Sequence, residues 1–208
     1  NLHERPAPPS DTSVWTEIGE GLQVLREVPS VRGAMLHLVL LYSLLAALYV
    51  LALQLAALID NLGASGFGAL LAMSGLGMAI GAVVIAQVGH RFSRRRLTAA
   101  GLGTITFTLV VLTQVQGSLG FTLAVCGILG VGAALVAIPA QTTIQEETPE
   151  TERGRVFGLQ NNLINIALSL PLVLAGTLVS SIGLQPVLWL LAGLALTAAL
   201  LERPWERC

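Results

Sequence analysis

Residues 97–145 read LTAAGLGTITFTLVVLTQVQGSLGFTLAVCGILGVGAALVAIPAQTTIQ, and none of them is charged. One membrane span needs about 20 apolar residues, so this stretch is long enough for two. Its middle, Gln114 to Gly120, gathers Gln, Ser and Gly, the residues of turns. The pattern predicts a helical hairpin buried in lipid. It repeats on both sides: Gly33 to Gly89 carries a single charge, Asp60, and Val156 to Leu201 carries none. Their centres, Asp60 to Gly66 and Ser180 to Pro186, are again rich in turn formers. Three hairpins give six spans, predicted at 33–59, 66–88, 97–114, 119–140, 156–180 and 186–201. Only helices or closed barrels satisfy their backbone in hydrocarbon. Barrel strands alternate apolar and polar residues, and runs such as Leu44 to Leu53 do not. The predicted fold class is an all-α membrane protein.

Composition agrees. Hydrophobic residues make up 54% of the 208 and charged residues 11%, where a soluble domain is about a quarter charged. The mean hydropathy is +0.77. A net charge of −1 implies no nucleic-acid partner. Cys126 lies in an apolar run and Cys208 is the last residue, so neither a disulfide framework nor a metal site is implied. No cofactor is expected, and the lipid bilayer is the first partner.

The arginines orient the chain. All eleven basic residues are arginine, and they fall only at the ends or between hairpins. Arg5, Arg26 and Arg32 precede the first span; Arg91, Arg94, Arg95 and Arg96 follow the first hairpin. Arg153 and Arg155 follow the second, and Arg203 and Arg207 the third. The positive-inside rule places all of them in the cytoplasm, and with them both termini. The expected localisation is the plasma (cytoplasmic) membrane. Residues 1–32 read as a cytoplasmic linker with an amphipathic helix, 33–201 as a six-helix lobe and 202–208 as a cytoplasmic tail. Val14, Ile18, Leu22 and Leu25 set the helical period of the linker, Ser13 its cap and Pro29 its end. The Pro-rich opening, Glu4 to Asp11, reads as a linker within something longer.

Gly75, Gly77 and Gly81 supply small residues to the second span, where small side chains let helices approach closely. The span runs into Gly89-His90-Arg91-Phe92-Ser93-Arg94-Arg95-Arg96. Each half alone is a generic packing face or a generic arginine cluster. Together they resemble the loop signature of the major facilitator superfamily, Gly-x-x-x-Asp-Arg-x-Gly-Arg-Arg. Arg91, Arg94 and Arg95 match its basic positions, while Ala86, His90 and Ser93 replace Gly, Asp and Gly. The form is similar to the C-terminal copy of that signature. The segment from Gln145 to Gly158, with Arg153, Gly154 and Arg155, resembles the loop before the eleventh helix in drug and siderophore exporters, the enterobactin-exporter-like and macrolide-efflux-like proteins. Read without that resemblance, it is a solvated turn in which Pro149 stops one helix and Glu150 and Glu152 suit the start of the next.

The resemblance implies the C-terminal half of such a transporter, six helices in two inverted three-helix repeats. It implies efflux of an unidentified small molecule, with the first, second, fourth and fifth spans facing the cavity. A second six-helix lobe, either a missing N-terminal half or another protomer, would complete the path. The rival class is a membrane scaffold associating through its glycine-rich faces.

Polar side chains at membrane depth point to a neighbouring helix or to water, not to lipid. Asn161 and Asn165 share a face of the fifth span, and with Gln54 and Ser74 they are the substrate-path candidates. Interhelical hydrogen bonding accounts for them equally well. No acid or arginine falls deep within a span, and Asp60 sits at an outer turn. Gly63-Ala64-Ser65-Gly66 matches the nucleophile motif of rhomboid proteases, but no histidine follows His90 to take the serine proton. No enzyme activity is expected.

Overall fold

The computed structural model describes residues 25–58, 63–114 and 118–201. Asp60 and nearly all of the amphipathic lead-in lie outside the described residues. Among the described residues, six helices are long and apolar enough to cross a membrane. They are α1 (Pro29–Leu58), α2 (Gly63–Val88), α3 (Arg94–Gln114), α4 (Leu119–Glu147), α5 (Arg153–Ile182) and α6 (Leu184–Leu201), with a 3₁₀ turn at Gly89–Arg91 between α2 and α3. Among the described residues there is no strand.

Four helices, α1, α3, α4 and α5, reach further at their arginine-bearing ends than hydropathy predicts. Proline suits the first helical turn, where its missing N–H has no partner to lose. So α1 begins at Pro29, not Gly33, and takes in Arg32. α4 runs on to Glu147, through Pro139. Hydropathy marks where lipid ends, whereas a helix continues until its backbone is capped or broken. At the far end of α5, Gly183 adopts a φ of 87° and returns its N–H to the Val179 carbonyl, reversing the chain into α6.

Packing pairs the two triplets crosswise. α2 lies along α4 and α5 lies along α1, the exchange expected when two three-helix units are related by a two-fold axis. α1 and α4 touch each other, so the helices form a row in the order α2, α4, α1, α5. α3 packs behind α4 and against α6. α4 is the centre of the lobe, and two glycine seams hold it. A Cβ on Gly77 of α2 would stand 1.9 Å from the Gly127 carbonyl oxygen, and one on Gly130 would stand 2.0 Å from that of Ser74. On its other side, a Cβ on Gly101 of α3 would meet the Gly132 oxygen at 2.7 Å. Main chain rests on main chain at these points, which only glycine permits.

The buried side chains form two clusters. Leu41, Leu44, Leu102, Ile105 and Leu109 lead the larger one, between α1, α3, α4 and α6. Val31, Met35, Leu38, Ile144 and Val156 form the smaller one at the arginine-bearing end. Leu25, the last of the four apolar residues that set the period of the lead-in, joins the smaller cluster and is buried.

Candidate functional site

The flanking helices of the row are the least covered. Only 17% of the apolar stretch of α2 and of α5 is buried, against 50% for α4. On α5 the packed stripe is Val156, Gln160, Ala167 and Ala175. At 3.6 residues per turn, the opposite stripe is Gly158, Asn161, Asn162, Asn165, Ser169 and Gly176. Both Asn161 and Asn165 are exposed, and neither amide side chain bonds to another helix among the described residues. The Ser169 hydroxyl donates to the Asn165 main-chain carbonyl at 2.8 Å, which satisfies the serine but none of the asparagine amides. α2 presents a different surface: Gly68, Ala72, Gly75 and Ala79 are exposed opposite its packed face.

Gly77 and Gly81 both carry the contact with α4. A Cβ on Gly81 would sit 2.7 Å from the Ala134 Cβ. Gly75, grouped with them in sequence, lies two residues from Gly77 and so on the opposite side; nothing stands within 4 Å of its Cβ position. Gly75 is therefore not part of that helix contact.

Ser74 lines an apolar cavity of about 250 Å³ bounded by α1, α2, α3, α4 and α6. Leucines from all five helices line it, Leu48, Leu70, Leu112, Leu129 and Leu188 among them, and Tyr49 also lines it, ring to edge with Phe67 at 5.1 Å. Gln54 is exposed on α1 and is not part of that wall. The structure thus does not gather the four polar candidates into one site. Ser74 belongs to the cavity, the asparagines to the outer flank of α5, and Gln54 to the surface of α1.

One polar pair joins α4 to α5. The Gln160 side-chain amide donates to the Gln141 Oε1 at 2.7 Å. Gln160 is buried, and its own Oε1 has no hydrogen-bond partner among the described residues. Sequence reading passed over both residues, although each is an uncharged polar residue within an apolar run, the same signal that singled out Gln54.

The arginines of the two connecting segments form local ion pairs. Arg94 bonds Glu146 and stands 3.7 Å from Glu147, tying the start of α3 to the end of α4. Ser30 of α1 donates to the same Glu147. Arg153 pairs with Glu150 at 3.6 Å and Arg155 with Glu152 at 2.8 Å. Arg91 is exposed, Arg95 is half-buried, and Gly154 has open space around it. All these charges are largely solvated, so the pairs fix geometry more than they stabilise. Ser65 lies in the first turn of α2 and His90 beyond its far end, about 35 Å away along the helix. That separation prevents proton transfer between them. Among the described residues, no group of histidine, cysteine and carboxylate side chains is arranged to hold a metal.

The Major Facilitator Superfamily model matches residues 35–205. An uncharacterised MFS-type transporter of Bacillus subtilis (strain 168), YfiS, is 32% identical over an alignment that takes in 88% of this chain and 45% of that protein. The chain therefore spans about half the length of this relative.

Proposed function

Because the chain belongs to the major facilitator superfamily, a family of membrane transporters, we propose that it supplies the C-terminal lobe of an exporter. In this reading a small molecule crosses between this lobe and a second six-helix lobe, and the two rock about the substrate. A relative about twice as long supports the need for a second lobe. The arginine-bearing ends of the helices, and both termini, face the cytoplasm of a plasma membrane. Efflux is the direction suggested by the likeness of the Gln145–Gly158 loop to drug and siderophore exporters.

The observation that carries the transport reading is the exposed stripe of α5. Three asparagines and a serine on the outward side of an apolar helix are costly against lipid, roughly 1–3 kcal/mol for each unpaired amide. Water or a second lobe removes that cost. In this reading the stripe lies at the edge of the shared cleft, with Gln141 and Gln160 behind it, between α4 and α5.

Reconstituted vesicles test this directly. Replacing Asn161 and Asn165 together with Leu is expected to leave the melting temperature unchanged and to depress substrate-stimulated flux. A stability loss that precedes the flux loss would assign the asparagines to packing instead. The exposed small-residue stripe of α2 favours a second reading, a scaffold that associates through Gly68, Ala72, Gly75 and Ala79. Such a protein would retain its assemblies in those vesicles and move no solute.

A further inference from the structure

A second pocket, of about 590 Å³, opens at the arginine-bearing end of the lobe. The beginnings of α1 and α3, the Pro139–Thr143 turn of α4 and the last residue of α6 enclose it. Its wall holds Arg32, His37, Arg94 and Arg95, together with the hydroxyl side chains of Ser30, Thr98 and Thr143. Among the described residues, no carboxylate lines it. Glu146 and Glu147 neutralise Arg94 from outside, but Arg32 makes no side-chain hydrogen bond or ion pair among the described residues. Arg94, Arg95 and Arg96 moreover crowd the first turn of α3, with no acidic residue there. Helix dipoles favour anions at that end, so three cations in the turn repel both the dipole and one another. An anion would supply Arg32 with the side-chain partner that it lacks among the described residues.

We propose that this pocket binds the phosphate of an anionic phospholipid. Phosphate is the anion that the lining suits: arginine forks recognise its oxygens in pairs, and hydroxyl donors surround them. The surroundings favour a lipid over a soluble phosphate. Leu36 lies one turn deeper than Arg32 on the same face of α1 and is 63% exposed; Leu201, in the pocket wall, is 74% exposed. A headgroup held by Arg32 would lay its acyl chain along these leucines. Basic pockets between helices at a membrane boundary take lipid headgroups by this combination of charge and apolar surface. The site lies on the α1–α3–α6 side of the lobe, apart from the polar stripe of α5, and does not depend on the transport reading.

The test uses the full chain in detergent micelles, with phosphatidylglycerol, phosphatidylcholine or inorganic phosphate titrated into thermal-unfolding and native mass-spectrometry measurements. Phosphatidylglycerol is expected to raise the melting temperature by several degrees and to survive as a bound adduct, and the other two are not. Arg32→Gln should weaken the apparent phosphatidylglycerol affinity about fivefold, the effect of one arginine at an anionic surface. Arg96→Gln removes an exposed cation that does not line the pocket, and should leave that affinity unchanged. If Arg32→Gln lowers the lipid-free melting temperature, counting bound lipid by mass still distinguishes it from the parent chain. Equal effects of the two lipids, or equal losses in the Arg32 and Arg96 variants, would overturn the proposal by reducing it to diffuse charge attraction. Equal stabilisation by inorganic phosphate would overturn it in favour of a soluble ligand.

Discussion

Replacing Gly77 with Ala adds one methyl group to α2 where α4 leaves no room for it. The new carbon would stand 1.9 Å from the Gly127 carbonyl oxygen and 2.8 Å from the carbonyl carbon, against an ordinary contact of 3.4–4 Å. Both neighbours are main chain, so no rotamer change relieves the clash. The two helices must part by about 1.5 Å, and dispersion contacts along the seam weaken with them. Overpacking of this kind costs about 1–3 kcal/mol, and rigid backbone places this case at the upper end. A domain of this size loses about 2–4 °C per kcal/mol, which gives a fall of roughly 6–12 °C in detergent. Helices in a membrane stay helical when they separate, so alanine's better helix propensity gives little in return. Gly75→Ala is the matched control, since it is the same change in the same helix at a position with open space. It should leave the melting temperature within about 2 °C, a surface-type effect. Thermal unfolding followed by tryptophan fluorescence or by size-exclusion recovery reads both variants. Equal melting temperatures for the two would refute the α2–α4 seam.

Three further outcomes follow from the described geometry. Cysteines introduced at Ser65, Ser118 and Ser181 should react with an impermeant thiol reagent from outside intact cells, and those at Ser93 and Thr151 should not; outside labelling at Ser93 would invert the proposed orientation. Gln160→Leu removes one bond to Gln141 together with an acceptor that has no partner, so stability should change by no more than about 1 kcal/mol; a larger loss in thermal unfolding would show that Oε1 is satisfied in the membrane. Arg94→Gln breaks ion pairs whose side chains are 42–59% exposed, so it should cost at most about 1 kcal/mol, and less at high salt; a salt-independent loss would contradict this.

The six helices were legible because the absence of charge is a strong signal over 45 residues, and the turn residues mark where each block folds back. The family resemblance rested on loop arginines, whose spacing survives when their neighbours change. Which face of each helix is buried was less legible. The period relates Gly77 to Gly81 and sets Gly75 apart, but it does not say which side meets α4, since lipid and protein interior are equally apolar. The same ambiguity applies to Asn161 and Asn165: an amide on an apolar helix suits packing and a path equally, and the sequence does not mark which stripe of α5 is packed. Pairings between distant segments had no local trace. Gln141 meets Gln160 across two helices, and the basic pocket gathers residues from Pro29 to Leu201. Tertiary approach alone brings them together.

The crosswise pairing imposes an order in time on synthesis. A helix enters the membrane as it leaves the ribosome, but α2 finds its main partner only when α4 follows, and α1 its own only when α5 does. The glycine face of α2 therefore waits in lipid while α3 and the loop after it are made, and the lobe cannot close before residue 182 has been inserted. For that interval the flat backbone patch around Gly77 is open to any passing small-residue helix. Slow insertion, or a chain cut short before α4, would leave a membrane segment prone to capture by the wrong neighbour.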